Sequence, residues 1–252
     1  MAKISAVIIT FNEANNIARC IRSLHQVADE IIVVDSFSTD NTAAIAEKEG
    51  AKIIYHSFEG YGVQKNFAQR QAANDWILSL DADEELSAQL KQSIQEVKTN
   101  LEFNAYKFNI LTNYCGKWIH HCGWYPQPKI RLWNRLRGDM SNDRVHEGWH
   151  MTDKNAPVGH LKGNLLHYSY ATISDHIRKL EQYSEIKAQI EIAKGKKVSI
   201  FNLWITPKWV FFVDYIIRRG FLDGYYGYLI CRLSAFSSYV KYAKIRQYSE
   251  KK

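Results

Sequence analysis

No Gly-x-Gly-x-x-Gly follows the first apolar run of this sequence, and it contains no Walker lysine loop. Dinucleotide binding and P-loop chemistry therefore lose their usual support. Cysteine is scarce: Cys20, Cys115, Cys122 and Cys231 are the four. Without a secretion signal they read as reduced thiols in a cytoplasmic setting. The opening residues Met1-Ala2-Lys3-Ile4 carry neither the apolar region nor the cleavage site of a signal peptide and pass directly into a strand pattern. No stretch approaches the roughly 18–20 uncharged apolar residues of a membrane span, so no spanning helix is expected.

What is present suffices for a sizeable core. The 252 residues are 46% hydrophobic and 13% aromatic, enough for one large α/β domain or a core with an appended module. The net charge of +7 is uneven. From Gly195 onward 11 Lys and Arg face 3 acids, so that segment carries +8 and the remainder −1. A basic, aromatic tail on a near-neutral body points to an anionic membrane surface as partner for 195–252. Nucleic acid is disfavoured, because apolar aromatics exceed what a phosphate-tracking surface needs.

Along the chain, Ile4 to Thr10, Glu30 to Val34 and Lys52 to Tyr55 read as strands. Helical patterns lie between them, and a third, opened by Gly60-Tyr61-Gly62, runs to Asn74. Trp76-Ile77-Leu78-Ser79-Leu80 is then a buried strand running into Asp81-Ala82-Asp83-Glu84-Glu85. This β-α-β-α-β-α-β alternation predicts a parallel sheet with helices on both faces, and such sheets hold ligands at the carboxyl edge. Two aspartates there suit Mg²⁺ or Mn²⁺ bridging to a diphosphate. Glu84 and Glu85 read as start charges of a helix beginning near Ser87. Thr10, Phe11, Asn12, Glu13 and Asp35 offer an aromatic face and a carboxylate suited to a nucleobase.

Ala6-Val7-Ile8-Ile9-Thr10-Phe11-Asn12-Glu13, Ile32-Val33-Val34-Asp35-Ser36 with Ser38-Thr39-Asp40, and Leu80-Asp81-Ala82-Asp83-Glu84 together resemble the nucleotide-binding half of a glycosyltransferase family 2 enzyme. The resemblance covers about the first 90 residues. The middle and C-terminal segments are similar, more loosely, to lipopolysaccharide core β-glucosyltransferases. This implies an α/β GT-A fold: a catalytic domain over 1–171, with 1–100 binding the nucleotide sugar and 101–171 the acceptor. A basic aromatic helical extension associating with membrane would follow over 172–252. Thr10, Phe11 and Asp35 would hold the base, most often uracil in this family. Asp81 would lie near the ribose and metal, and Asp83 would bind the metal. A histidine after the acceptor region sometimes completes the metal shell in such enzymes, and His167 matches in position, with His160 a weaker competitor. Lys65 or Arg70 could meet phosphates or stay solvated.

On the acceptor side, Cys115, His120, His121 and Cys122 lack the spacing of a structural zinc module. That loop reads instead as aromatic packing, with Trp118, Trp124 and Tyr125 either stacking on a sugar or filling core. An inverting transfer needs one base to take the acceptor's proton. Glu147, between His146 and Trp149, is the expected general base and Asp143 the runner-up. The C-terminal helices, including one from Lys208 with Pro207 in its first turn, are expected to lie in a membrane interface. The implied enzyme is an inverting, metal-dependent hexosyltransferase, peripheral on the inner membrane face. It would move a hexose from a nucleotide sugar such as UDP-glucose to a lipid-linked saccharide such as lipopolysaccharide inner core. A polyprenyl-phosphate sugar transferase, a nucleotidyltransferase and a non-catalytic nucleotide-sugar-binding scaffold are the alternatives.

Overall fold

The computed structural model describes residues 1–141, 148–196 and 198–249. The strands are β1 (Ile4–Thr10), β2 (Glu30–Asp35), β3 (Lys52–Tyr55), β4 (Trp76–Asp81), β5 (Glu84–Leu86), β6 (Ala105–Tyr114), β7 (Lys117–Ile119), β8 (Pro128–Asn134), β9 (Gly138–Met140), β10 (Trp149–Met151) and β11 (Gly159–Tyr170). The α-helices are α1 (Ile17–Leu24), α2 (Thr42–Lys48), α3 (Tyr61–Arg70), α4 (Ala88–Val97), α5 (Ile173–Ala193), α6 (Ile200–Phe212) and α7 (Gly224–Ser249). The chain forms two compact units, one of Met1–Ile110 with Gln127–His167, the other of Leu111–Pro126 with Tyr168–Lys252.

In the first unit β3-β2-β1-β4 form a parallel sheet, as the alternation of apolar runs predicts. Every residue of β1 is buried, because helices cover both faces. Ile4, Ala6 and Ile8 join Leu78 and Leu80 of β4 and Ile17, Cys20, Ile21 and Leu24 of α1 on one face. Val7, Ile9, Ile77 and Trp133 share the other with Ala68 of α3. Each fully buried aliphatic side chain contributes about 1.5–3 kcal/mol.

Beyond β4 the sheet becomes mixed. β8 runs antiparallel to β4 with Ile77 opposite Trp133, then come β6, β11 and finally β5. β5 is held by β11, with His167 opposite Glu84. Gly163 lets β11 pass over the start of α4: its φ is +95°, and a Cβ there would lie 2.4 Å from Leu90 N. Glu84 is therefore not the exposed helix-start charge that its position suggests. It is a fully buried strand residue, and the helix begins later, at the Ser87 cap, whose hydroxyl accepts from Leu90 N–H.

The second unit packs α7 against α5 and α6. Tyr114, Ile119, Cys122, Ile230 and Cys231 form its core. A Cβ on Gly227 would lie 1.9 Å from the Gly220 carbonyl oxygen, so that close approach requires glycine. The helix expected from Lys208 starts eight residues earlier, at Ile200, because Ser199 and Asn202 form a capping box. Pro207 thus lies inside α6, where it removes one helical hydrogen bond. The expectation that no segment approaches spanning length also fails. Ile200–Ile217, which continues α6 through a π turn, is long and apolar enough to cross a membrane by length and composition. None of the α6 side chains is buried.

His176 of α5 lies in this unit's aromatic core, its Nδ1 3.0 Å from the Tyr114 hydroxyl. Burial, with a smaller contribution from Lys179, lowers its pKa to about 4. The unfolded chain takes up that proton near pH 6.5, so the stabilisation is complete above 6.5 and lost as pH falls towards 4. Urea titrations should show this unit losing up to about 3 kcal/mol over that window. His176→Gln should remove that part of the acid sensitivity.

Candidate functional site

Three parallel strands end level at one edge. The register sets Thr10 beside Asp35 and Ile9 beside Asp81. Asp35 is fully buried, and its carboxylate accepts the backbone N–H and the hydroxyl of Ser38, each at 2.6 Å. Asn12 adopts φ 54°, donates its N–H to Ser38 Oγ at 2.9 Å and accepts the Thr39 N–H at 2.8 Å. Glu13 donates its N–H to Thr42 Oγ1 at 2.8 Å and accepts from Asn16 Nδ2 at 2.7 Å. Asn12 and Glu13 thus tie the loop after β1 to the loop after β2. Thr10 is buried, while Phe11 stands 57% exposed above this edge. Phe37, which sequence reasoning passed over, stands 58% exposed at φ 62° and stacks on Tyr55 at 5.8 Å. Its signal was an aromatic residue two positions beyond the β2 carboxylate, matching Phe11 just beyond Thr10.

At the end of β4 four charged groups interlock. Lys65 of α3, only 3% exposed, places Nζ 3.0 Å from Asp81 Oδ1. Arg131 of β8 donates to Asp81 Oδ2 at 3.0 Å and to Glu84 Oε1 at 2.6 Å. Glu84 Oε2 accepts the Asp81 N–H at 2.8 Å. Burial would raise the Asp81 carboxyl, but Lys65 and Arg131 outweigh it and hold it well below the ordinary range. Burial raises Glu84, and the neighbouring Asp81 charge adds to the rise against the pull of Arg131. The two carboxyls sharing one guanidinium are split, with Asp81 the firmly ionised member. Lys65 is therefore an interior counter-ion to Asp81; Arg70 is the exposed one of the pair.

Asp83 follows the turn that ends β4. His167, on β11, brings Nε2 to 3.2 Å from Asp83 Oδ2. Both side chains are partly open, at 19% and 26% exposure. Burial works against the imidazolium, but the hydrogen bond and charge of Asp83 prevail and raise the His167 pKa. An oxygen and a nitrogen donor, side by side and open to solvent, fit a divalent ion that takes its remaining ligands from phosphates and water. Asp81 already faces two cations, so Asp83 and His167 are the better-placed pair. Among the described residues no group of three or more His, Cys, Asp or Glu side chains is arranged as a metal site.

Other expected residues fall elsewhere. Asp143, His146 and Glu147 lie outside the described residues. The cysteine and histidine loop builds no metal site: His121 pairs through Nδ1 with Asp223 Oδ1 at 3.1 Å, and Cys122 is buried among apolar side chains. Trp124 fills space against Tyr114 and Tyr170, and Trp118 meets Tyr168 edge-on at 5.3 Å.

Residues 5–148 match the family described as Glycosyl transferase family 2. The chain belongs to glycosyltransferase family 2. An uncharacterized glycosyltransferase of Rickettsia felis is 36% identical, the match covering 98% of this chain and 90% of that one. The lipopolysaccharide core biosynthesis glycosyltransferase LpsC of Rhizobium meliloti is 30% identical over 97% and 92% of the two chains. Among solved structures, a mannosyltransferase of Pyrobaculum calidifontis in complex with GDP-Man and Mn²⁺ shares the fold. It is 12% identical, with a TM-score of 0.57 over 96% of this chain and 86% of that one. A glucosyl-3-phosphoglycerate synthase of Mycobacterium tuberculosis, in complex with Mn²⁺, UDP and glucosyl-3-phosphoglycerate, gives a TM-score of 0.50 at 18% identity over 79% and 82%. The sheet is thus of GT-A type, and the carboxylate edge belongs to a glycosyltransferase.

In this glycosyltransferase the ionic cluster at β4 should be indispensable to stability. Arg131→Ala would leave Asp81 and Glu84 facing each other with Lys65 alone, and breaking such a buried pair costs about 3–5 kcal/mol. Thermal denaturation should show a fall of roughly 6–20 °C.

Proposed function

We propose that this family 2 glycosyltransferase transfers a hexose, with inversion, from a UDP-sugar to a lipid-linked saccharide of the lipopolysaccharide inner-core kind. One observation carries the reading: Thr10 and Asp35 on β1 and β2, and then Asp81 and Asp83 at the end of β4, stand in order along one sheet edge, with His167 beside Asp83. Phe11 and Phe37 offer faces for the base, and Asp35 supplies the carboxylate of that subsite. Asp83 and His167 would hold Mg²⁺ or Mn²⁺, which when bound neutralises charge on the departing diphosphate. Lys65 and Arg131 fix Asp81 and with it the strand end that carries Asp83. Glu147 takes the proton of the acceptor hydroxyl as it attacks from the face opposite the leaving group, with Asp143 the alternative base. A nucleotide-sugar donor is supported by the nucleotide-bound structures that share the fold, its uridine form by the one that holds UDP, and the acceptor class by the LpsC relative.

The same reading places the enzyme in the cytoplasm, against the inner membrane face, through 195–252. Phe201, Trp204, Trp209, Ile217 and Tyr225 are all more than 60% exposed, with Lys208, Arg218 and Arg219 among them. Bulky aromatics interleaved with cations suit the headgroup boundary. Lys208 and Pro207 at the middle of α6 favour a helix lying along that boundary over one crossing the bilayer.

Calorimetry with UDP and Mn²⁺ tests the donor site: Asp83→Ala should weaken metal-dependent UDP binding at least tenfold, and unchanged binding would refute the assignment. Glu147→Gln should reduce transfer about a hundredfold or more while UDP affinity stays within twofold. Near-normal transfer would point to a phosphate acceptor, which needs no strong base. In flotation assays the protein should rise with anionic vesicles, and the double change Trp204→Ser with Trp209→Ser should leave it in the soluble fraction.

A further inference from the structure

On the side of β4 away from β1 and β2, the first unit contains a cavity of about 220 Å³. The antiparallel pairing of β4 with β8, which sets Leu78 opposite Leu132, brings Ser79 and Arg131 to its wall. Trp133 and Trp149, stacked at 5.9 Å and 24°, form an apolar side. Ile130 and Met140 add to the apolar lining, and three cations, Lys65, Lys129 and Arg131, line the cavity as well.

These three cations are not equivalent. Lys65 and Arg131 are matched by Asp81 and Glu84. Lys129 makes no ion pair or hydrogen bond among the described residues. Its side chain is exposed, and the partial loss of water contact and the nearby Arg131 push its ammonium below the usual lysine value. Lys129 is exposed at the rim of the cavity, where it adds a positive charge that Asp81 and Glu84, already paired with Lys65 and Arg131, do not take up. The Trp149 indole N–H is buried without an acceptor among the described residues. An anionic oxygen would satisfy such donors, and charge-assisted hydrogen bonds are the strong ones. The volume is below the ~300–1,000 Å³ of a pocket that takes a drug-sized ligand whole. It has room for one sugar ring or its substituent, not for a nucleotide. The proposed base subsite lies on β1 and β2, across β4 from this cavity.

We propose that the cavity binds an acidic substituent, phosphate or carboxylate, on the saccharide acceptor, and that Lys129 reads it. The word acceptor rests on the transferase reading above; the anion site rests on the cavity and its charges. Lys129 is then a specificity-determining residue that selects acidic over neutral saccharides.

Calorimetry on the full chain tests this with glucose 6-phosphate, glucuronate and glucose as probes, each with and without saturating UDP and Mn²⁺. At least one acid should bind about tenfold or more tightly than glucose, and should still bind when UDP is present. Lys129→Gln should abolish that preference while UDP affinity stays within twofold, and Lys129→Arg should retain it. Circular dichroism of the variants confirms folding. No preference for either acid, or a preference that survives in Lys129→Gln, overturns the proposal. Displacement of the acid by UDP would also overturn it, assigning the cations to the donor diphosphate. If the wild type bound no UDP yet kept a Lys129-dependent preference for acids, the donor reading would fall and the anion site would stand.

Discussion

The carboxylate edge depends on one interaction, the bridging of Asp81 and Glu84 by Arg131. Glu84 is fully buried and Asp81 partly so, and two carboxylates this close would drive each other towards protonation. The guanidinium, donating to both, and the Lys65 ammonium on the other oxygen of Asp81 keep that acid ionised. The geometry needs three separate parts of the chain. β4 brings Asp81, the turn through Ala82 and Asp83 returns Glu84 beneath it, and β8 delivers Arg131 from fifty residues away. Asp83 meets His167 instead, at 3.2 Å.

Much of the first unit was legible in the sequence because its strands are short runs of β-branched residues separated by helical patterns. The level ending of β1, β2 and β4 follows from parallel pairing, so Thr10, Asp35 and Asp81 could be placed together without coordinates. Glu84 could not. Three residues become β5 only by pairing with β11, some eighty positions later, and an acid three residues before a helix cap looks like a helix-start charge. Arg131 was hidden for the same reason. In Pro128-Lys129-Ile130-Arg131-Leu132-Trp133 the pattern identifies a strand, but only its pairing with β4 sets Arg131 against Asp81. The start of α6 was missed because its signal is the Ser199 capping box, whereas Pro207 is the louder residue.

The same logic separates the two roles of Asp81-Ala82-Asp83-Glu84. Spacing alone makes Asp81 and Asp83 a matched pair. Their partners make them unlike: Asp81 and Glu84 are counter-ions to interior cations, and Asp83 forms a donor pair with His167. A motif read as a list of ligands thus resolves into one group that fixes the strand end and one that presents chemistry.

In the second unit, composition overstates the charge available to a membrane. Lys244 is bound by Glu181 and Glu185 at 2.8 and 3.1 Å, Lys196 by Glu191 at 2.7 Å, and Arg218 by Asp214 at 2.8 Å. Three of those four acids come from before residue 195, so counting the tail alone misses them. Other cations are spent on rings, with Lys241 4.1 Å from the Tyr242 centroid and Arg232 5.7 Å from that of Phe211. Each free basic group near an anionic leaflet is worth about 1 kcal/mol, and salt screens it. Burying one aromatic side chain gains about 1.5–3 kcal/mol and is not screened. On the proposed membrane reading, affinity therefore comes mainly from Phe201, Trp204 and Trp209. The remaining cations set which leaflet is met, and the aromatics set how tightly.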